Sequence, residues 1–154
     1  MKLLITAAHV VDPQNNLDTV LDVLIENKKI VKIGKSISDS AAKEINAKGL
    51  YLFPGLIDLH THFREPGYEH KETILSGSRA ARAGGFVACV SMPNTKPPCD
   101  SASVVTSMLT KAREAEFTVF PCGTITQGRE GKDLSEMADL KAAGCRAVSD
   151  DGDS

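Results

Sequence analysis

The chain has 154 residues, of which 42% are hydrophobic and 25% charged, and its formal net charge is -2. That is ordinary globular composition, and it gives no electrostatic footprint for nucleic acid or an anionic membrane surface. No apolar run approaches the ~18–20 residues a membrane span needs, and the length suits roughly one domain of about 100–200 residues.

The opening "MKLLITAAHVVDP" starts like a signal peptide. Asp12 and Pro13 interrupt it early, however, and it reads as a strand. "KLLITAAHVVD" and "VLDVLIENKKIVKIG" predict strands, with "ENKK" as a hairpin turn. "KSISDSAAKEINAKG" is polar connection with room for one brief strand at most. Residues 1–50 therefore predict a small β-module, too small to hold a core of its own.

From residue 51 the rhythm alternates. "LYLFPGLIDLHTH" predicts a strand, "FREPGYEHK" a loop and "ETILSGSRAARAGG" a helix. "FVACVSMPN" predicts the next strand, followed by the loop "TKPPCD". In "SASVVTSMLTKAREAE", Val104, Val105, Met108, Leu109 and Ala112 fall on one helical face, with Asp100 or Ser101 as N-cap. "FTVFPCGTI" is a third strand. "DLSEMADLKAAG" is a helix with Leu134, Met137 and Ala138 on one side and Gly144 as its stop, and "CRAVSDDG" is a fourth strand. Apolar strands separated by helices imply right-handed βαβ units and a parallel sheet. A doubly wound sheet competes, but no Gly-rich phosphate loop follows the first strand. A (β/α)8 barrel needs about 250 residues and eight such units, so four strands make half of one. The four cysteines, Cys89, Cys99, Cys122 and Cys145, lack zinc-knuckle or redox spacing, and three sit in or beside apolar runs. That predicts reduced thiols and a cytoplasmic setting.

Polar residues collect at the C-terminal ends of these strands, where barrel enzymes carry their chemistry: His60 and His62, Asn94, Thr124, then Asp150 and Asp151. Strand alternation puts Asp58, His60 and His62 on one face. Two imidazoles so placed can grip one zinc-class ion, or can simply be hydrogen-bonded at a strand end. The cost of burying three unpartnered polar groups after an apolar strand favours the metal. Asp150 or Asp151 can supply an oxygen ligand, or "SDDGDS" can be a polar loop. Arg64 suits a bidentate grip on a carboxylate or phosphate, or a surface pair with Glu65. Asn94 can hold a substrate oxygen or cap its own turn.

Together "FPGLIDLHTHFREPGYEHKETI", "MPNTKPP" and "VSDDG" resemble the amidohydrolase superfamily, and specifically its class I, bacterial-type dihydroorotases. "PG.ID.H.H" marks only the superfamily, whereas "H.REPG..HKE" followed by "MPNT" is far more specific. The resemblance implies a partial N-terminal β-sandwich module over 1–50 and, over 51–154, the first four strands of a (β/α)8 metal-dependent hydrolase barrel. It implies His60, His62 and Asp151 as metal ligands, with Asp151 bridging two zinc positions, and His62, Arg64 and Asn94 as substrate-binding residues. The implied reaction is the reversible, zinc-dependent cyclisation of N-carbamoyl-L-aspartate to L-dihydroorotate in pyrimidine synthesis.

The family draws two further histidines and a catalytic aspartate from later strands. His9 and His70 match none of those positions, so no catalytic residue is assigned in this chain and the general base is expected downstream of Ser154. The sequence is accordingly read as the N-terminal portion of a longer protein, without turnover by itself. Its remaining half, a homodimer partner and aspartate transcarbamoylase are the implied protein partners. Two alternatives stand beside this reading. One is another cyclic amidase, a hydantoinase or allantoinase, although those relatives use a carboxylated lysine where this chain has none. The other is a non-catalytic dihydroorotase homologue acting as a structural partner.

Overall fold

The computed structural model describes residues 1–153, whose contacts divide into two units, one ending at Pro54 and the next beginning at Gly55. In the first, β1 (Lys2–Asp12) pairs antiparallel with β2 (Leu17–Glu26), which pairs antiparallel with β3 (Lys29–Gly34). Asn27 and Lys28 both take positive φ, 50° and 65°, which is what a type I′ hairpin turn requires at "ENKK". β4 (Lys43–Asn46) and β5 (Tyr51–Leu52) pair parallel with β1. β1 carries a bulge between Ile5 and Ala8, where Ala7 sits at φ 57°. Asp22 on β2 secures it: its carboxylate accepts the Ala7 N–H at 2.8 Å and the Ile37 N–H at 2.9 Å. Those bonds hold the Asp22 carboxyl below its ordinary pKa against the opposing effect of burial. Ala8, Val10, Val23 and Ala47 form a small buried cluster.

The second unit runs β6 (Leu56–Thr61), α1 (Ile74–Ala83), β7 (Phe86–Ser91), α2 (Ala102–Glu114), β8 (Thr118–Gly123), α3 (Met137–Ala143) and β9 (Ala147–Val148). The strands are parallel and sequential, β6-β7-β8-β9, with a helix in each crossover, which is the half-barrel arrangement the sequence predicts. Ile74, Val105, Met108, Val119 and Leu140 are the heart of the helix–sheet core. The α1 N-terminus is fixed by a capping box, in which the Thr73 hydroxyl accepts the Ser76 N–H at 3.0 Å and Ser76 Oγ accepts the Thr73 N–H at 3.1 Å. All four cysteines are buried free thiols.

Three expectations are corrected. The strand predicted over "LYLFPGLIDLHTH" is two strands in two sheets: β5 pairs with β1, and β6 pairs with β7. Phe53–Gly55 separates them, because Pro54 has no N–H to donate and a Cβ on Gly55 would lie 2.2 Å from Val87 Cγ1. The contacts divide after Pro54. The helix predicted from Asp133 begins only at Met137. Leu134 is exposed and bridges to Thr126, and Leu140, rather than Leu134 or Ala138, is the side chain α3 buries. Finally, the fourth strand is just Ala147–Val148, after which the chain turns. On α2 the predicted face holds, with Val104, Val105, Met108 and Ala112 buried, and Ser101 is the N-cap residue without a side-chain cap bond.

Candidate functional site

His60 and His62, two residues apart, share a direction, and the strand that leads to them is irregular. Asp58 pairs with Cys89 and Thr61 with Ser91, so three steps on β6 match two on β7, which is a bulge. Simple alternation, which puts Asp58 on the face of the two histidines, therefore fails. Asp58 lies beside Cys89, a member of the helix-side core. The Cys89 thiol is pushed up by burial and then by the Asp58 charge. The Asp58 carboxylate accepts the His60 backbone N–H at 3.0 Å and stands outside the ligand group.

That group is His60, His62 and Asp151, whose donor atoms all lie within 4.8 Å of one another. Nε2 of His60 is 3.1 Å, and Nε2 of His62 4.0 Å, from Asp151 Oδ1. Donors on a tetrahedron with arms of about 2.0–2.1 Å sit about 3.3 Å apart, so these separations bracket what a zinc-class ion requires, and two nitrogens with one carboxylate oxygen suit it chemically. Asp151 is the most enclosed member, its side chain 13% exposed, while the His60 side chain is 60% exposed and open to incoming ligands.

The other oxygen of Asp151 faces donors. Asn94, near the start of the loop leaving β7, donates its Nδ2 to Asp151 Oδ2 at 2.6 Å and places its Oδ1 3.0 Å from His62 Nδ1. Arg129 adds a cation, with Nη2 3.9 Å from Asp151 Oδ2 and 2.7 Å from Asp153, and its Nε donates to the Asp150 carbonyl at 3.0 Å. Asp150 turns the other way. It accepts the Ile125 and Thr126 N–H groups and the Thr126 hydroxyl, latching the loop after β9 to the loop after β8. Burial raises its carboxyl pKa, but those donors and Arg129 together hold it below the ordinary value. Thr124 is buried, hydroxyl to hydroxyl with Ser135 at 2.6 Å, and takes no part in the site.

Arg64 sits at φ 63°, with the Glu65 N–H donating to the Phe63 carbonyl at 2.7 Å across it, a tight turn of γ type. Among the described residues its guanidinium has no ion-pair or hydrogen-bond partner. The expected alternative, a pair with Glu65, is absent, because Glu65 instead accepts the Ile74 N–H at the start of α1 at 2.8 Å. "EPG" therefore builds the loop: Glu65 caps the helix, the Pro66 carbonyl accepts the Lys96 N–H at 2.9 Å, and Gly67 backs against the Lys96 carbonyl. His9 and His70 lie elsewhere, His9 bonded to Asp18 at 2.6 Å and His70 edge-on to Tyr68.

A sequence-family model described as dihydro-orotase-like matches residues 49–153. The chain belongs to the dihydroorotase-like family. Over 99% of its length it is 51% identical to the dihydroorotase of Trichlorobacter lovleyi and 49% identical to that of Aquifex aeolicus, and it spans 36% of each of those proteins. Among solved structures it superposes on L-hydantoinase (dihydropyrimidinase) from Arthrobacter aurescens with TM-score 0.76 and 22% identity, covering 95% of this chain and 32% of that one. On dihydropyrimidinase from Brevibacillus agri the TM-score is 0.63 at 27% identity, covering 82% of this chain and 28% of the other. The fold is thus that of the amidohydrolase barrel, and membership of the family implies a metal. Of the residues read from sequence, His60, His62, Asn94 and Asp151 come together. Arg129 was missed, since a loop arginine far along the chain carries no spacing signal. Among the described residues no helix is long and apolar enough to cross a membrane.

Proposed function

We propose that this chain supplies the zinc-holding and carboxylate-gripping part of a dihydroorotase, which interconverts N-carbamoyl-L-aspartate and L-dihydroorotate in pyrimidine synthesis. The observation that carries the reading is the convergence of His60, His62 and Asp151 at the C-terminal edge of the parallel strands, with Arg64, unpaired among the described residues, on the adjoining loop. His60 and His62 would hold the ion through ring nitrogens, and Asp151 would hold it through a carboxylate oxygen. When bound, zinc supplies Lewis acidity, polarising the ring amide carbonyl and acidifying water.

Arg64 grips the substrate carboxylate in the bidentate manner open to a guanidinium. This also offsets the repulsion that the substrate's negative charge would meet from Asp151. His62 and Asn94 line the same place. Opening the ring adds water across the amide C–N bond, and closing it expels that water. The group that moves the proton belongs to the part of the relatives' length that this chain does not span. A homodimer and an association with aspartate transcarbamoylase are part of the same proposal.

The hydantoinase reading is weaker: those structures share 22–28% identity, against about 50% for the dihydroorotases, and "SDDG" offers no lysine at the end of β9. Equilibrium dialysis tests the metal assignment: the chain should take up zinc, and His60→Ala and Asp151→Ala should abolish uptake. Undiminished uptake in both variants would refute it. In a protein continuing this chain to its relatives' length, Arg64→Met should raise KM for dihydroorotate by about 10–100-fold, the equivalent of a lost charged hydrogen bond. An unchanged KM would remove Arg64 from the substrate site.

A further inference from the structure

The side chain of Asn94 stands between two members of the ligand group, and its chemistry dictates where a proton must be. A carboxylate only accepts, so the atom of Asn94 that lies 2.6 Å from Asp151 Oδ2 is the NH2 group. The amide oxygen is then the atom 3.0 Å from His62 Nδ1, and since an amide oxygen also only accepts, Nδ1 of His62 carries the hydrogen. In a neutral imidazole with Nδ1 protonated, Nε2 keeps its lone pair. That Nε2 is 4.0 Å from Asp151 Oδ1, too far for a hydrogen bond, so nothing in the group opposes this tautomer.

We propose that Asn94 is a positioning residue: its amide fixes His62 in the Nδ1–H tautomer, with the Nε2 lone pair presented to the metal position, while its NH2 group holds Asp151 Oδ2 and leaves Oδ1 directed at the histidines. The metal half of this statement rests on the zinc reading above; the tautomer half does not. The expected consequence is that His62 binds zinc without first moving a proton. Partners of this kind, which orient a ligand and set its tautomer, typically change metal affinity by about 10–100-fold when removed.

The test is ring-nitrogen NMR of the full chain, treated with chelator and held about pH 8, above the ordinary imidazole range. The wild type should show His62 as Nδ1–H. Asn94→Leu, which removes both bonds at similar volume, should release His62 from the Nδ1–H form and weaken zinc binding by about 10–100-fold. Asn94→Asp keeps the acceptor facing His62 and should keep its tautomer, although the added charge disturbs Asp151. If Asn94→Leu does not fold, the wild type and Asn94→Asp decide the matter. His62 found as Nε2–H in the wild type, or an unchanged tautomer in folded Asn94→Leu, would overturn the inference. A wild type with the expected tautomer and no zinc uptake would count against the metal reading and support the amide's role in setting the proton.

Discussion

A methyl group at Gly67 would lie 2.1 Å from the carbonyl oxygen of Lys96, on a residue held at φ 96°. Strain and collision add together here. Gly67→Ala should lower the unfolding free energy by about 2–4 kcal/mol, measured by urea denaturation, and a loss under about 0.5 kcal/mol would show that the two loops do not interlock as described. Arg129 makes the complementary case. Its guanidinium, 15% exposed, joins Asp151, Asp153 and the Asp150 carbonyl. Arg129→Met should cost about 1–3 kcal/mol and loosen zinc binding through Asp151. Unchanged zinc affinity would confine Arg129 to holding the loop. The candidate ligands were legible residue by residue in "HTH" and "SDDG", because ligand types gather there at strand ends, although each also had a reading as a hydrogen-bonded strand end or a polar loop. Arg129 and the amide bridge of Asn94 were not, since their meaning lies in which loops meet.

The elements of the second unit were legible from periodicity, and α2 lies where its apolar stripe predicts. What sequence missed is where hydrogen bonding overrides pattern. Leu134 looks like part of a helical face but is drawn into a bridge with Thr126, and "LYLFPGLI" looks continuous but is cut by a proline and a crowded glycine. Bulges escape pattern reading altogether, in β1 as in β6. The β1 bulge gives a pH prediction. Asp22 has a lowered carboxyl pKa when folded, through the Ala7 and Ile37 N–H bonds, so its contribution is complete above the ordinary carboxyl value of about 3.9 and is lost as pH falls through the lowered one. Asp22→Asn should be less stable than wild type at neutral pH, with the gap closing in acid. Parallel stability curves down to about pH 2 would show that the carboxylate is not what holds the bulge.

Across the whole molecule, many apolar side chains meet water: Ile57, Leu59 and Val87 in the second unit, and Ile30, Val31 and Tyr51 in the first, each more than half exposed. Monomeric proteins seldom expose such surfaces unless something covers them. The chain in isolation should therefore self-associate with rising concentration in light scattering, and Ile57→Thr with Leu59→Ser should reduce it. A monodisperse monomer at high concentration would argue against an adhesive surface. The four thiols give the molecule another property. Burial and the neighbouring Cys145 and Asp151 charges push Cys122 up to about 12, and Cys99 is raised by its hydrogen bond with Cys145, which is lowered in turn. A thiol out of contact with solvent cannot be alkylated until its surroundings open, and all four are buried. The rate at which each cysteine takes up a label therefore times the opening of its own part of the barrel wall, so the protein carries its own set of clocks, with no foreign probe required.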